Sequence, residues 1–267
     1  MNNGLQVVSG WPSAGFCVLL MAGAWLFARK RDFYSLVDAV WAYGIGLCAL
    51  LQLSLGSAPL ARKPWSAAWA VGWSLRLGTH LSLRLKRHYP QEDARYAEIK
   101  RGWVASGASV HARFFLFFQF QALSQIFLSI PFLLLAGDPA PFPRATEVAG
   151  GCLAAMGILG EAAADLQLKR FTRDPASRSR VCQVGWWRYS RHPNYFFEWI
   201  VWCGFGLLGA GAPGGVWAWL APSAMLLLLL FVTGVPPAEK SSLRSRGKEY
   251  VRYQLTTSKF IPWPRRH

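Results

Sequence analysis

The sequence predicts an all-α, polytopic membrane protein: a bundle of seven transmembrane helices with the N-terminus outside and the C-terminus in the cytoplasm. Hydrophobic residues make up 53% of the chain, and they are grouped in blocks of about 20, the length that a helix needs to cross a bilayer. Only 16% of the residues are charged, and the basic ones lie almost entirely between these blocks. No repeat is visible. Residues 1–267 are therefore expected to form one membrane domain.

Seven apolar blocks follow one another, and each predicts one transmembrane helix. They cover residues 11–28, 36–58, 65–85, 114–136, 146–168, 195–212 and 215–235. The turn GAPGG at 211–215 predicts a tight hairpin between the last two blocks, because Gly and Pro interrupt helices. Alternate loops and the tail carry 24 Lys and Arg, Arg178 and Arg266 among them, whereas the opposite side carries three. Since basic loops stay in the cytoplasm, this asymmetry predicts the orientation.

Composition excludes several classes of function. A net charge of +16 would indicate a nucleic-acid partner in a soluble protein, but membrane topology and anionic headgroups account for it here, so none is expected. The five cysteines have no Cys-x-x-Cys spacing, which favours packing roles over disulfides or zinc. The first 28 residues lack the basic segment of a cleavable signal peptide.

Polar side chains in the second and third blocks mark a first candidate site. Asp38 and Tyr43 belong to the second block, and Arg76 and His80 to the third. Ionisable groups at membrane depth usually face a cavity or a partner. These residues are candidates for the wall of a substrate cavity, and the alternative is an Asp38–Arg76 ion pair that only joins two helices. No second ligand lies at metal-binding spacing from His80, so no metal is expected.

A second polar stripe closes the fifth block. Glu161, Asp165 and Lys169 recur every four residues, which places them on one face of the helix. One interpretation is a solvated helix end with an Asp165–Lys169 pair. The other is a polar wall, favoured by Glu161, which lies nearly two turns inside the block.

The densest polar segment is 188–199, which runs from charged residues into the sixth apolar block. Pro193 is suited to the first turn of a helix, whose free N–H groups attract anions. Arg180, Arg188, Arg191 and His192 flank this start and predict a phosphate-binding site. The alternative is an ordinary basic loop before a helix.

Three side chains continue this segment into the helix. Asn194 and Glu198 share one helical face, and Tyr195 lies on the neighbouring face. Glu198 at membrane depth requires a hydrogen-bond donor, and a ligand amide or hydroxyl is a candidate. Tyr250 and Tyr253, one turn apart in the tail, either stack on a ligand ring or pack at the interface. No Gly-x-Gly-x-x-Gly follows a strand, so a nucleotide would have to bind within the bundle.

These motifs resemble the steroid 5-alpha-reductase C-terminal family, and most closely its bacterial DUF1295 subgroup. The run GWWRYSRHPNYFFEW at 185–199 is similar to the family signature. LQLKRF at 166–171, RGKEYVRY at 246–253 and FIP at 260–262 match in order and spacing, and DAVW at 38–41 fits the subgroup. The resemblance spans nearly the whole chain and is most specific at 160–264.

The resemblance implies an oxidoreductase of lipid metabolism in the bacterial inner membrane, using NADPH. Hydride would pass to the beta carbon of an enone lipid similar to a 3-oxo-delta-4 steroid, and a proton to the alpha carbon. Residues 1–140 would form the substrate side and residues 141–267 the cofactor side, with no obligate protein partner. The implied cofactor-binding residues are Glu161, Asp165, Arg170, Arg173, Arg180, Arg188, Tyr189, Arg191, His192, Asn194, Tyr195, Glu198, Tyr250 and Tyr253.

The chain departs from the family on the substrate side. Animal steroid reductases carry a Gln-Glu pair in the second helix and a tyrosine in the third; here Leu53 follows Gln52, and the third block has no tyrosine. The expected carbonyl-polarising residues are Asp38, Tyr43, Arg76 and His80, through stabilisation of the enolate. An unsaturated lipid is therefore a better expectation than a steroid.

Two rival functions remain open on the sequence. Membrane methyltransferases of the isoprenylcysteine or phospholipid type, which use S-adenosylmethionine, also carry an Arg-His-Pro-x-Tyr motif and a late Glu. Glu198, Glu161 and Asp165 favour the reductase. A transporter or lipid-binding protein is the third reading, for which inverted repeats would be expected.

Overall fold

The chain is built from helices. The computed structural model describes residues 3–177 and 180–265, with side chains from residue 10 onward, and Arg178 and Arg266 lie outside the described residues. The α-helices are α1 (Asn3–Arg31), α2 (Leu36–Leu55), α3 (Arg62–His88), α4 (Ala94–Ala105), α5 (Val110–Leu128), α6 (Ile130–Ala136), α7 (Ala145–Arg173), α8 (Pro193–Ala210), α9 (Leu220–Leu227) and α10 (Val235–Thr256). Short 3₁₀ turns cover Pro175–Ser177, Gly185–Arg188 and Gly215–Trp219, and a π-helical turn covers Leu228–Val232. No strand occurs in the described ranges.

Several helices are long and apolar enough to cross a membrane, which confirms an all-α integral membrane protein. Four qualify outright: Gly10–Arg31, Leu36–Leu55, Ala145–Arg173 and the run Gly215–Thr256. A fifth is counted when α5 and α6 form one span bent by 46°. The bend follows Ser129, and Pro131 stands in the first turn of α6. Because proline lacks an N–H, it removes a backbone hydrogen bond at this point.

Two helices occupy segments that the sequence suggested were loop or tail. α4 lies between the third and fourth apolar blocks, and α10 follows the seventh. α10 is kinked at Gly247, where φ is 48°, a value that glycine adopts without the steric cost of a side chain. Both helices are rich in charge, and so neither forms an apolar block that would reveal it.

The chain divides into two compact units. The first comprises Met1–Glu147 with Leu208–Ala221, and the second comprises Val148–Leu207 with Pro222–His267. The substrate-side candidates of the sequence belong to the first unit, and the cofactor-side candidates to the second.

The first unit packs around α2, which contacts α1, α3, α5 and α6. Small residues bring α2 and α3 together: a side chain at Gly46 would overlap Ser74, and one at Gly78 would overlap the ring of Tyr43. The Ser74 hydroxyl donates to the Ala42 carbonyl at 2.9 Å. This close approach fixes Tyr43 against α3.

A buried ion cluster closes one end of the first unit. Arg62 is fully buried and pairs with Asp138 and Glu147, with N···O distances of 3.3 and 2.5 Å. Arg144 also pairs with Asp138, at 2.7 Å. Such charges are tolerated in an interior only when paired, so the cluster holds the start of α3 to the first turn of α7 and to the segment before it.

In the second unit, glycines let α7 and α8 approach closely. A side chain at Gly157 would meet the backbone of Val201, and one at Gly160 would overlap the Phe197 ring. A side chain at Gly204 would likewise meet the backbone of Ala154. Glu161 of α7 directly follows Gly160, and Glu198 of α8 directly follows Phe197, so both carboxylates belong to the turns at which these helices pack.

Candidate functional site

The candidate cofactor site of the second unit is built on the segment that enters α8. α8 begins at Pro193, as the sequence predicts. Before it, the Arg191 N–H donates to the Ser258 carbonyl at 2.9 Å, and the Ser190 hydroxyl donates to the Phe260 carbonyl at 2.7 Å. The returning tail is therefore tied to the start of α8 by main-chain and side-chain bonds.

Glu239 of α10 binds three groups around this start. Its carboxylate lies 3.1 Å from an Arg191 terminal nitrogen, 3.4 Å from His192 Nε2 and 3.1 Å from Gln254 Nε2. Arg191 also donates to the Gln254 carbonyl at 3.1 Å. Arg191, expected to bind phosphate, thus has protein partners for its terminal nitrogens.

His192 is buried and stacked. Its ring lies parallel to that of Tyr195, with centroids 5.5 Å apart. Burial lowers the pKa of His192 from its ordinary value, and the neighbouring Glu239 opposes this only in part. The imidazole face packs on Tyr195, while its Nε2 edge faces Glu239.

The two tail tyrosines are also part of the packing. Tyr250 and Tyr253 are both buried, and they form an apolar cluster with Val181. The Tyr253 hydroxyl lies within hydrogen-bond distance of the carbonyls of Trp187 and Ser190 and shares its single proton between them. These contacts hold the tail against the segment before α8.

Three buried polar atoms beside the start of α8 have no hydrogen-bond partner within the part of the chain that the structure describes: Arg191 Nε, Asn194 Oδ1 and Thr257 Oγ1. Buried polar groups are nearly always hydrogen-bonded in proteins. These atoms are one donor, one acceptor and one hydroxyl, and the bond from the Arg191 N–H to the Ser258 carbonyl joins the segments that carry them. They make this the candidate place for a polar ligand.

Two carboxylates lie deeper along the packed helices. Glu161 is 5% and Glu198 is 6% exposed. Glu198 accepts a hydrogen bond from Trp202 Nε1 at 2.8 Å, one turn further along α8. The sequence prediction that Glu198 needs a buried donor is met in part by this indole.

Exposed arginines surround the end of α7. The turn 185–188 is joined to α7 by a bond from the Trp186 N–H to Gln167 Oε1 and by one from Trp187 Nε1 to the Ala164 carbonyl, both 2.9 Å long. This attachment places Arg188 near the last turns of α7, the helix that also carries Asp165. Four arginines expected to bind phosphate are exposed in this region: Arg170, Arg173, Arg180 and Arg188. Tyr189 is exposed as well.

On the substrate side, in the first unit, Asp38 is bound by two residues of α4. Its carboxylate lies 2.7 Å from an Arg95 nitrogen and 2.6 Å from the Tyr96 hydroxyl. The polar residues of the apolar blocks suggested Arg76 as the partner of Asp38 and did not indicate Arg95 or Tyr96. Asp38 therefore anchors α4 to the start of α2.

The other substrate-side candidates lie on the α2–α3 contact. The Tyr43 hydroxyl is 3.2 Å from the Thr79 hydroxyl, and His80 follows Thr79 on the exposed side of α3. Arg76 is half-buried one turn earlier. Tyr43, Arg76 and His80 are thus within about one turn of each other.

Sequence reasoning missed Glu239, Thr257, Arg95 and Tyr96. A signal existed for Glu239, because a single acidic residue near the start of a strongly basic tail calls for a cationic partner. Thr257, Arg95 and Tyr96 carry no such signal, since their importance depends on tertiary contacts.

Comparison with family models gives a match over most of the chain. The model described as protein of unknown function (DUF1295) matches residues 24–257, which include every candidate residue named above. Comparison with curated proteins and with solved structures gave no match.

Proposed function

We propose a function from two premises: the chain belongs to the DUF1295 family, and the start of α8 carries buried polar groups without protein partners. The proposed function is an NADPH-dependent reductase of the C=C bond of an enone lipid. The second premise carries the proposal, because buried polar atoms without protein partners require a partner from outside the chain, and a polar ligand at the start of α8 would supply it.

The residues around α8 fit a dinucleotide phosphate. Asn194 Oδ1 is suited to accept from an amide or hydroxyl of the cofactor, and Arg191 Nε and Thr257 Oγ1 are free to donate. Arg170, Arg173, Arg180 and Arg188 are exposed cations suited to the phosphates, including a 2′-phosphate. When bound, NADPH would supply a hydride to the beta carbon of the enone.

On the substrate side, Tyr43 and Arg76 are the proposed hydrogen-bond donors to the carbonyl oxygen, whose negative charge grows as the enone is reduced. A donor placed where charge develops lowers the barrier, by about 3–4 kcal/mol in well-studied cases. The Thr79 hydroxyl beside Tyr43 orients that phenol. Asp38, held by Arg95 and Tyr96, is a positioning residue for α2. His80, exposed on α3 next to Thr79, is a further polar group of this surface.

The proposed topology has seven spans: α1, α2, α3, the α5–α6 pair, α7, α8, and α9 with the π-helical turn. The distribution of Lys and Arg supports an external N-terminus and a cytoplasmic tail. Reporter fusions at the two termini test this. Opposite sides are expected, and a common side for both termini would contradict it.

A ligand-induced shift in melting temperature separates the reductase from a methyltransferase. A ligand that binds only the folded state raises the melting temperature, by about 2.7 kcal/mol of stabilisation at a hundredfold excess over Kd. NADPH is expected to raise it, NADH to raise it less, and S-adenosylmethionine to leave it unchanged. The reverse order for NADPH and S-adenosylmethionine would replace the proposal with the methyltransferase.

The variant Asn194→Ala tests the site itself. Removing the buried acceptor is expected to weaken NADPH binding by about tenfold, the effect of one lost ligand hydrogen bond. Lys248→Gln, on the exposed face of α10, is the control and is expected to bind NADPH normally. Unchanged binding in Asn194→Ala would remove this residue from the site.

A further inference from the structure

An apolar groove of about 650 Å³ lies in the first unit, between α1, α2 and α3. Its volume is within the range of small-molecule sites, about 300–1,000 Å³. Along α1 the lining extends from Leu19 to Phe27, and eight residues of helix span about 12 Å. The groove is therefore elongated along the helices, with room for a chain of methylene groups.

The groove opens sideways, toward the surface that faces the bilayer. Leu19 and Phe27 are 73% and 54% exposed, and both belong to the lining. At Gly23, midway between them, no atom lies within 4 Å of the position of an added Cβ. A lipid chain would enter from the side without any movement of the protein.

One end of the groove is polar and basic. Phe33 and Tyr89, whose rings meet edge to face at 5.3 Å, belong to the lining at the end where α1 and α3 finish. The last turn of α1 contains Arg29, Lys30 and Arg31, and the last turn of α3 contains Lys86, Arg87 and His88. Arg31 lies over the ring of Phe27, 5.4 Å from its centroid, so its guanidinium is at the rim.

Acidic groups near this rim have partners of their own. Asp32 binds Lys100, and the Glu92 carboxylate accepts from the backbone of Tyr34 and Ser35. The rim therefore keeps an excess of positive charge. An apolar groove that ends in a cluster of cations between membrane helices is complementary to a lipid with an anionic headgroup.

We propose that this groove binds one acyl chain of an anionic phospholipid, with the headgroup phosphate at a basic rim formed by Arg31, Lys86 and Arg87. The groove supplies apolar contact to the chain, and the rim supplies selectivity for the headgroup. Tyr43, a proposed donor to the enone carbonyl, also lines the groove, so the lipid site adjoins the proposed substrate surface. Phospholipid binding requires neither NADPH nor an enone, and the two proposals can therefore fail separately.

Lipid binding to the delipidated full-length protein tests the proposal, measured by native mass spectrometry and by melting temperature. The probes are phosphatidylglycerol and phosphatidylcholine with identical acyl chains. The wild type is expected to retain phosphatidylglycerol at least about fivefold more tightly than phosphatidylcholine, the effect of one headgroup contact with a cation. Equal retention of the two lipids would mean bulk bilayer contact only and would overturn the proposal.

Two glycine variants of α1 test the groove. Gly23→Phe fills it, and Gly15→Phe is the matched control, because an added Cβ at Gly15 also meets no atom within 4 Å and Gly15 is not in the lining. Displacing two methylene groups is expected to weaken phosphatidylglycerol binding by about tenfold in Gly23→Phe, with wild-type binding in Gly15→Phe. Equal binding by both folded variants would contradict the proposal.

The rim is tested by the double variant Arg31→Gln/Lys86→Gln, which does not alter the groove. Its preference for phosphatidylglycerol is expected to disappear, whereas Lys248→Gln, at an exposed position of α10, should keep it. If Gly23→Phe does not fold, the double variant decides. Loss of its preference for phosphatidylglycerol supports the site, and a retained preference overturns the proposal. Neither NADPH nor an enone is present in this experiment, so NADPH binding and enone reduction are decided by their own measurements.

Discussion

At the scale of single residues, the second unit shows how one carboxylate organises a candidate site. Glu239 contacts Arg191, His192 and Gln254, and these residues come from the start of α8 and from α10. Arg191 Nε and Asn194 Oδ1 are left without protein partners beside this network. Glu239 is therefore expected to hold the site in shape, while the unsatisfied atoms remain for a ligand.

Replacing Glu239 by glutamine tests this role. Glu239→Gln removes the charge that compensates Arg191, and we expect a loss of about 2 kcal/mol in the free energy of unfolding, typical of a charge-assisted hydrogen bond. Denaturant unfolding of the purified protein measures it. The control Lys248→Gln should change stability by less than about 0.5 kcal/mol. A loss of the same small size in Glu239→Gln would show that the network is not stabilising.

His192 predicts a pH dependence with a defined sign. Burial lowers the pKa of His192 below its ordinary value, which is about 6.5. As the pH falls below about 6.5, the unfolded chain takes up a proton at His192, whereas the folded protein takes it up only at lower pH. The unfolded state then binds more protons, so the His192 contribution to stability falls with falling pH in that window.

Melting temperatures of the wild type and of His192→Gln between pH 7.5 and pH 5 measure this contribution, over a range chosen to include the ordinary histidine pKa of about 6.5. The wild type is expected to lose more stability on acidification than the variant, because glutamine does not titrate. Parallel curves for the two proteins would show that His192 has the same proton affinity in the folded and unfolded states.

At the scale of elements, the start of α8 and the turn before it show which backbone features neighbouring residues predict and which depend on tertiary packing. Pro193 predicts the start of α8 from sequence, because proline is tolerated where the N–H has no helical partner. The turn at Gly185–Arg188 is different. Its first residue has a φ of 58°, and the Gln167 side chain lies where a Cβ would be, which depends on the packing against α7.

Gly185→Ala is therefore expected to destabilise the second unit. A positive φ costs a residue with a side chain about 1–2 kcal/mol, and the added Cβ would displace Gln167 from the Trp186 N–H. The control is Gly102→Ala in α4, where an added Cβ meets no atom within 4 Å and alanine favours the helix. Thermal unfolding measures both variants, and a similar small change in the two would refute the constraint at Gly185.

Charged helices mark the limit of what the apolar pattern predicts. α4 and α10 are interrupted by charged residues and form no continuous apolar block. Their positions depend on contacts such as Asp38 with Arg95 and Tyr96, or Glu239 with Arg191. Partners that are 57 or 48 residues apart in sequence cannot be read from local patterns. The bend between α5 and α6, in contrast, could have been expected from Pro131 within an apolar block.

At the scale of the whole molecule, hydropathy predicts an all-α membrane protein because the bilayer imposes helix length and apolar composition together. The segment 188–199 could be chosen as the candidate site because it combines charge, a helix start and a buried carboxylate. The sequence does not show which of these residues bind other parts of the protein and which remain for a ligand. Arg191, His192 and Tyr253 are bound to the protein itself, whereas Asn194 presents an unsatisfied acceptor.

We propose that this protein reduces an enone lipid with NADPH. The most direct measurement is NADPH oxidation by the purified protein in liposomes with a panel of enone lipids, with the saturated product quantified in parallel. We expect oxidation with at least one lipid, one saturated product for each NADPH consumed, and a lower turnover in Arg76→Ala with unchanged NADPH binding. Folded protein that oxidises no NADPH with any lipid, and whose melting temperature rises with S-adenosylmethionine but not with NADPH, would contradict the claim.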